Sequence, residues 1–227
     1  MKKIKSLLIL SGIGFIVLLF IIILYRILFG ANIKINKKSQ ALYIPSGSSY
    51  EQVLDTLGSN LIIKNPGLFD WMAKKKHYPE LVKPGKYVIN KNLSYGELIN
   101  ILRSGRQTPV KVTFKYIRTV NQLAGKVGKL IEADSVQIIN FFSNESNYIN
   151  DGFNKENVIS VFIPNTYEFY WDTDAKGFYS RMLKEYKAFW NDQRLAKAKE
   201  KGLDRYEVSI LASIIDDEVA KPDEKPR

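Results

Sequence analysis

The residues best placed to do chemistry stand near the end of the chain. Asp216, Asp217 and Glu218 follow the apolar run Leu211-Ala212-Ser213-Ile214-Ile215. On a helix turning about 100° per residue, Leu211 lies about +20°, Ile214 about −40° and Ile215 about +60° from Glu218. Glu218 therefore falls in the middle of the apolar stripe, Asp216 about 160° away and Asp217 about 100° to one side. If that stripe packs inward, Glu218 is the acid that loses its water. Burial disfavours the charged form, and the neighbouring aspartates push the same way. A carboxyl that keeps its proton near neutrality is what a general acid needs. The plainer alternative is that these acids are solvated, as acids at a helix end usually are. They splay around the helix, so a metal site is not expected from them.

Composition narrows the rest. The 227 residues include no cysteine and one histidine. That excludes a disulfide framework, a thiol nucleophile and Cys-ligated metal, and it makes multi-His metal sites and His-paired dyads elsewhere improbable. Chemistry must run on carboxylates, hydroxyls, Lys, Arg or backbone. Apolar residues make up 45% and charged residues 25%, which suits a folded chain with its own core. The net charge is +11, from 34 Lys and Arg against 23 acids. It reads either as an ordinary basic surface or as attraction to an anionic partner. With no helix-turn-helix, RNP-type aromatic motif or lysine block in the sequence, nucleic acid is not an expected partner.

The elements that must position these residues begin with an apolar run. Ser6 to Tyr25 carries no charge, with Lys2, Lys3 and Lys5 before it and Arg26 after it. Twenty helical residues span about 30 Å, the thickness of the hydrocarbon core. The expectation is an uncleaved single-pass anchor over residues 1–30, touching lipid through 6–29. The leading lysines place the N-terminus in the cytoplasm and the bulk of the chain on the outer side, although Arg26, Lys34, Lys37 and Lys38 on the far side weaken that orientation.

Beyond it, Ala41 to Pro45 and Gly85 to Ile89 read as strands. Ser48-x-x-Glu51 and Ser94-x-x-Glu97 read as capping boxes opening helices to Gly58 and Gly105, with a further helix over Gly67 to Lys76. The segments 49–54 and 94–99 look like two copies of one strand–turn–helix idea. Val110 to Ile117 alternates as a half-buried strand does. Helices are expected over 120–131, 135–142, 174–201 and 206–220, with a polar loop over 143–158. Phe162 to Trp171 is an aromatic strip holding Pro164, Asn165 and Thr166, and Tyr170 and Trp171 suit a core equally well. His77, in a basic segment, reads as surface.

Four features resemble the endolytic murein transglycosylases of the MltG/YceG-like family. One is the single anchor. Lys83-Pro84-Gly85-Lys86-Tyr87, with Leu93 to Leu98 and Leu102 to Gly105, resembles the family's LysM-like segment. Phe162-Ile163-Pro164-Asn165-Thr166-Tyr167 resembles its "lFPdTY" motif. Leu211 to Glu218, followed by Asp223-Glu224-Lys225-Pro226, resembles "ASIvEkE…eerp". The resemblance implies an α+β chain: an N-terminal transmembrane helix, a LysM-like module over 31–108, and the first part of a mixed α/β catalytic domain over 109–227.

It also implies a reaction. The family cuts the MurNAc–GlcNAc bond within peptidoglycan strands, leaving a 1,6-anhydro-MurNAc end and using no cofactor. The family's catalytic acid falls on Glu218, and the first Glu of its motif is here Asp216, a supporting position. Asn165, Thr166, Tyr167 and Glu168 become candidate substrate-binding residues, with a packed strand and polar turn as the alternative. Cell-wall synthesis proteins are a further partner class expected of such a chain. Family members continue past Arg227 with "NRL" and "DpTv.Y" segments, so residues 1–227 alone are expected to be weakly active or inactive. The competing reading is a non-catalytic peptidoglycan-binding or scaffold protein of the cell envelope.

Overall fold

A computed structural model describes the backbone of residues 2–218 apart from Asn36, Leu61 and Tyr116, and the side chains in that range apart from 2–11, Leu24, 27–29 and 216–218. The chain forms two compact units, Met1–Thr108 and Pro109–Arg227.

The first unit opens with helix α1 (Lys2–Phe29). Its described apolar side chains from Ile13 to Ile23 are all exposed, none below 42%. Among the described residues, no helix is long and apolar enough to cross a membrane. The unbroken stretch of described side chains in α1 covers only residues 12–23.

Strand β1 (Ser39–Ile44) then pairs antiparallel with β2 (Gly85–Asn90), in a register running from Ser39↔Asn90 to Ile44↔Gly85. Period-two alternation sends Leu42, Ile44, Tyr87 and Ile89 into the core and leaves Tyr43 outside. Each strand is followed by a capped helix, α2 (Tyr50–Ser59) or α4 (Tyr95–Ser104). The second box is Ser94 with Glu97, as the spacing predicts. The first is displaced by one residue: Ser49 caps, and Gln52 answers it. Ser48 instead donates to the Pro45 carbonyl at 2.7 Å. Two adjacent serines make the register ambiguous in sequence, and the turn at Pro45 claims the first.

The tyrosines that open α2 and α4 both grip α3 (Pro66–Lys75). Tyr50 donates to Asp70 at 3.0 Å, and the Tyr95 hydroxyl accepts the Asn65 amide at 2.8 Å. Gly105 ends α4 at φ 71°, a left-handed conformation that favours glycine. His77 is exposed, also at positive φ (54°).

In the second unit, β3 (Val110–Thr113) pairs antiparallel with β4 (Thr166–Phe169), from Val110↔Phe169 to Thr113↔Thr166. Between them lie α5 (Val120–Val127), α6 (Ser135–Ser143) and three short 3-10 turns. The core is aromatic: Phe162 stacks on Phe178 at 5.7 Å, and Phe114 touches both. The expected helix over 174–201 is two helices, α7 (Ala175–Phe189) and α8 (Asp192–Glu200). Asn191 breaks it by accepting the Arg194 amide as an N-cap. Arg194 holds the corner, donating to the Phe189 carbonyl at 2.7 Å and lying 4.2 Å over its ring. Helix α9 (Arg205–Glu218) follows.

Candidate functional site

Helix α9 begins with a reciprocal cap. Asp204 accepts the Tyr206 and Glu207 amides, and Glu207 accepts the Asp204 amide. Its first turns are tied to the unit: Val208 packs on the aromatic core, and Tyr206 donates to the Glu156 carbonyl at 3.3 Å. Beyond Ser209 the described side chains are exposed. Ile210, Leu211, Ile214 and Ile215 are 43%, 47%, 52% and 39% exposed. The inward packing expected of this stripe is therefore not found for its described members, because no described element of the unit covers that face. The backbone of Glu218 is the last described position of α9. The side chains of Asp216, Asp217 and Glu218 lie outside the described residues, as do Asp223, Glu224 and Lys225.

The second candidate group lies on β4 and divides by strand alternation. Tyr167 turns inward, is 6% exposed, packs against Phe114 and donates to the Ile163 carbonyl at 2.8 Å. Burial raises the pKa of this phenol above its ordinary value. Its hydroxyl is committed to the core, so it is placed to support the strand. Asn165, Thr166 and Glu168 are exposed. The Asn165 side chain accepts the Thr166 amide at 2.7 Å, fixing the entry to the strand. Thr166 and Glu168 share the outer face with their cross-strand partners Thr113 and Lys111. The Thr113 and Thr166 hydroxyls lie 2.9 Å apart. Tyr170, just beyond, is 58% exposed, and Trp171 is partly buried against the core. Hydroxyls, a carboxylate, an ammonium and an exposed ring along one ledge suit a polyhydroxylated ligand, whose C–H faces stack on aromatics while its hydroxyls bond polar groups.

A cavity of about 260 Å³ opens in the same unit and was not legible in the sequence. Asn121, Ser143 and Lys155 line it over a floor that includes Phe142, Tyr148 and Val158. Beside it the Tyr148 hydroxyl donates to the Phe142 carbonyl at 2.8 Å, holding the polar loop against α6. That loop carried no periodic pattern. Among the described residues, no group of three or more His, Cys, Asp or Glu could hold a metal ion.

The model of the YceG-like family matches residues 42–227. The chain belongs to the YceG-like family. Two curated relatives, from the D39 and R6 strains of Streptococcus pneumoniae, are named endolytic murein transglycosylase. Each is 26% identical, covering 84% of this chain and 39% of the relative. This YceG-like chain thus spans about two-fifths of the length of those relatives. A crystal structure of a yceG-like protein from Listeria monocytogenes aligns at 17% identity and a TM-score of 0.47, over 82% of this chain and 66% of that one.

Proposed function

We propose that this chain belongs to an endolytic peptidoglycan lytic transglycosylase, held at the outer face of the bacterial plasma membrane by residues 6–29. The observation that carries the reading is the family match over 42–227, together with relatives that bear the name of that activity. Residues 31–108 would be its LysM-like module, and 109–227 the first part of its catalytic domain.

The reaction asks little of the side chains. A hydrolase needs two carboxylates, because water must be activated or a glycosyl-enzyme formed. In a lytic transglycosylase the C6 hydroxyl of the muramic acid attacks its own C1. The tethered nucleophile lowers the entropic part of the barrier. Glu218 would donate its proton to the leaving glycosidic oxygen as the C1–O bond breaks. Its carboxylate would then take the proton of the C6 hydroxyl as the 1,6-anhydro bond forms. Asp216 would support that proton, and Asn165, Thr166 and Glu168 would bind sugar on the outer face of β4. No cofactor enters.

The exposed stripe Ile210, Leu211, Ile214 and Ile215 favours a second reading, a wall-binding protein whose acid never becomes desolvated. Purified sacculi separate the two. The full-length protein should release anhydro-ended muropeptides, and Glu218→Gln should abolish them. Binding without anhydro ends would establish the non-catalytic reading, and an undiminished yield from the variant would remove Glu218 as the acid.

A further inference from the structure

The charge of the chain is distributed unequally. Residues 1–108 hold 16 Lys and Arg against 5 acids, and 109–227 hold 18 against 18, so the whole excess of +11 belongs to the first unit. Part of that excess is gathered where α1 joins the unit. The segment leaving α1 is tied by backbone bonds to two others: Asn32 N–H donates to the Leu93 carbonyl, Lys34 N–H to the Ile62 carbonyl, and Lys91 N–H to the Lys38 carbonyl. Ile33 also bridges Ile63.

These bonds bring together residues 31–40, 60–66 and 89–95, which contain no acid. They carry Lys34, Lys37, Lys38, Lys64 and Lys91, all exposed. The acid that follows most closely, Glu97, is turned back on Ser94, accepting its amide and hydroxyl at 2.8 Å each. Four residues before its last, Phe29, α1 ends its charge-free run at Tyr25, 64% exposed, and Arg26 follows. An amphipathic ring and a cation at the end of a charge-free run suit the level of a membrane interface.

We infer that this lysine collar docks the first unit onto anionic phospholipid headgroups of the membrane that α1 enters. The inference rests on the anchoring reading above and adds to it a lipid preference. A helix that merely inserts would tolerate any bilayer. A five-lysine collar at its foot meets the surface potential of an anionic leaflet, each lysine strengthening the contact about fivefold within a Debye length of roughly 8 Å. The five lysines come from three separate segments that backbone bonds hold side by side.

The test uses the full chain in nanodiscs of phosphatidylcholine, with and without phosphatidylglycerol, and a soluble amine-reactive label read lysine by lysine by mass spectrometry. Labelling of Lys34, Lys37, Lys38, Lys64 and Lys91 should fall several-fold on the anionic discs and recover at high salt. Lys184 and Lys197 of the second unit should be unaffected. The Lys64→Gln/Lys91→Gln variant should lose much of the protection at the remaining three. Equal labelling on both discs would overturn the collar while leaving the anchor intact. Equal protection of Lys184 and Lys197 would reduce the effect to general adsorption and overturn it too. Protection on neutral discs by soluble glycerophosphate would replace the lipid with free phosphate. Failure to co-elute with either disc would sink the anchor, and the collar with it.

Discussion

The hydroxyls of Thr113 and Thr166 meet 2.9 Å apart across the β3–β4 ladder, on the face where Lys111 and Glu168 also oppose each other. The pair has one role in the strand ladder and, under the proposed function, a second in binding. As a cross-strand contact it should contribute about 0.2–1 kcal/mol, the usual range for such pairs. As an exposed polar couple it can also bond a sugar. Thr113→Val, Thr166→Val and the double variant form a cycle in which urea denaturation reads the first role. Glycan-strand binding reads the second, and Thr166→Val should weaken it several-fold at nearly unchanged stability. Tyr167→Phe should behave in the opposite way, losing stability through the Ile163 hydrogen bond with glycan binding retained in the folded fraction.

How much of this was legible beforehand depended on whether the deciding signal was local. The Ser94–Glu97 box and the strand at Gly85 follow from capping chemistry and alternation, and both are local. The choice of Ser49 over Ser48 turned on a carbonyl at Pro45 that only the folded turn presents. The break at Asn191 needed Arg194 to fold back on Phe189. The exposure of Leu211 and Ile214 could not be read at all, since an apolar stripe says which face seeks a partner and never whether one is present.

Tyr78 offers a test of the first core. It is fully buried, and its hydroxyl has no hydrogen-bond partner among the described residues. Burial drives its pKa well above the ordinary range for a phenol. An orphaned buried hydroxyl costs about 1–3 kcal/mol. Tyr78→Phe should therefore raise the thermal unfolding midpoint. Tyr87→Phe, which removes a hydroxyl bonded to the Lys83 carbonyl at 3.0 Å, should lower it by the equivalent of about 1 kcal/mol. A fall in both would show that Tyr78 has a partner.

The caps predict a pH dependence with a definite sign. Hydrogen bonds from the Ser94 amide and hydroxyl hold the Glu97 carboxyl below its ordinary pKa of 4.5. Lys74, and then Tyr50, do the same for Asp70, whose ordinary value is 3.8. Folding is favoured by such depressed groups above their unfolded pKa. That contribution disappears as pH falls through the lower, folded value. Stability should thus decline on the acid side of about pH 4.5, and the decline should be shallower in Glu97→Gln. Denaturant midpoints measured against pH give the comparison, and an identical acid limb in the variant would remove Glu97 from the account.

The last prediction concerns the exposed face of α9. Ile214 and Leu211 touch water in this chain, so Ile214→Gln and Leu211→Gln should alter the stability of residues 1–227 by no more than about 0.5 kcal/mol. Val208→Ala, on the part of the helix that packs against the core, should cost more. The same polar substitutions should behave differently in the full-length protein if Glu218 is the acid. A carboxyl centred on this stripe keeps its proton near neutrality only when the stripe is covered, because desolvation is what penalises the ionised form. Polar residues at 211 and 214 would admit water, lower the pKa of Glu218 and shift the acid–base transition of anhydro-muropeptide release toward lower pH. They should also reduce the rate at neutrality by at least tenfold, within the usual contribution of a general acid. Residues 1–227 alone, with the stripe open, should show little or no release. If Ile214→Gln leaves both the rate and the pH profile of the full-length protein unchanged, desolvation along α9 is not how the acid is tuned.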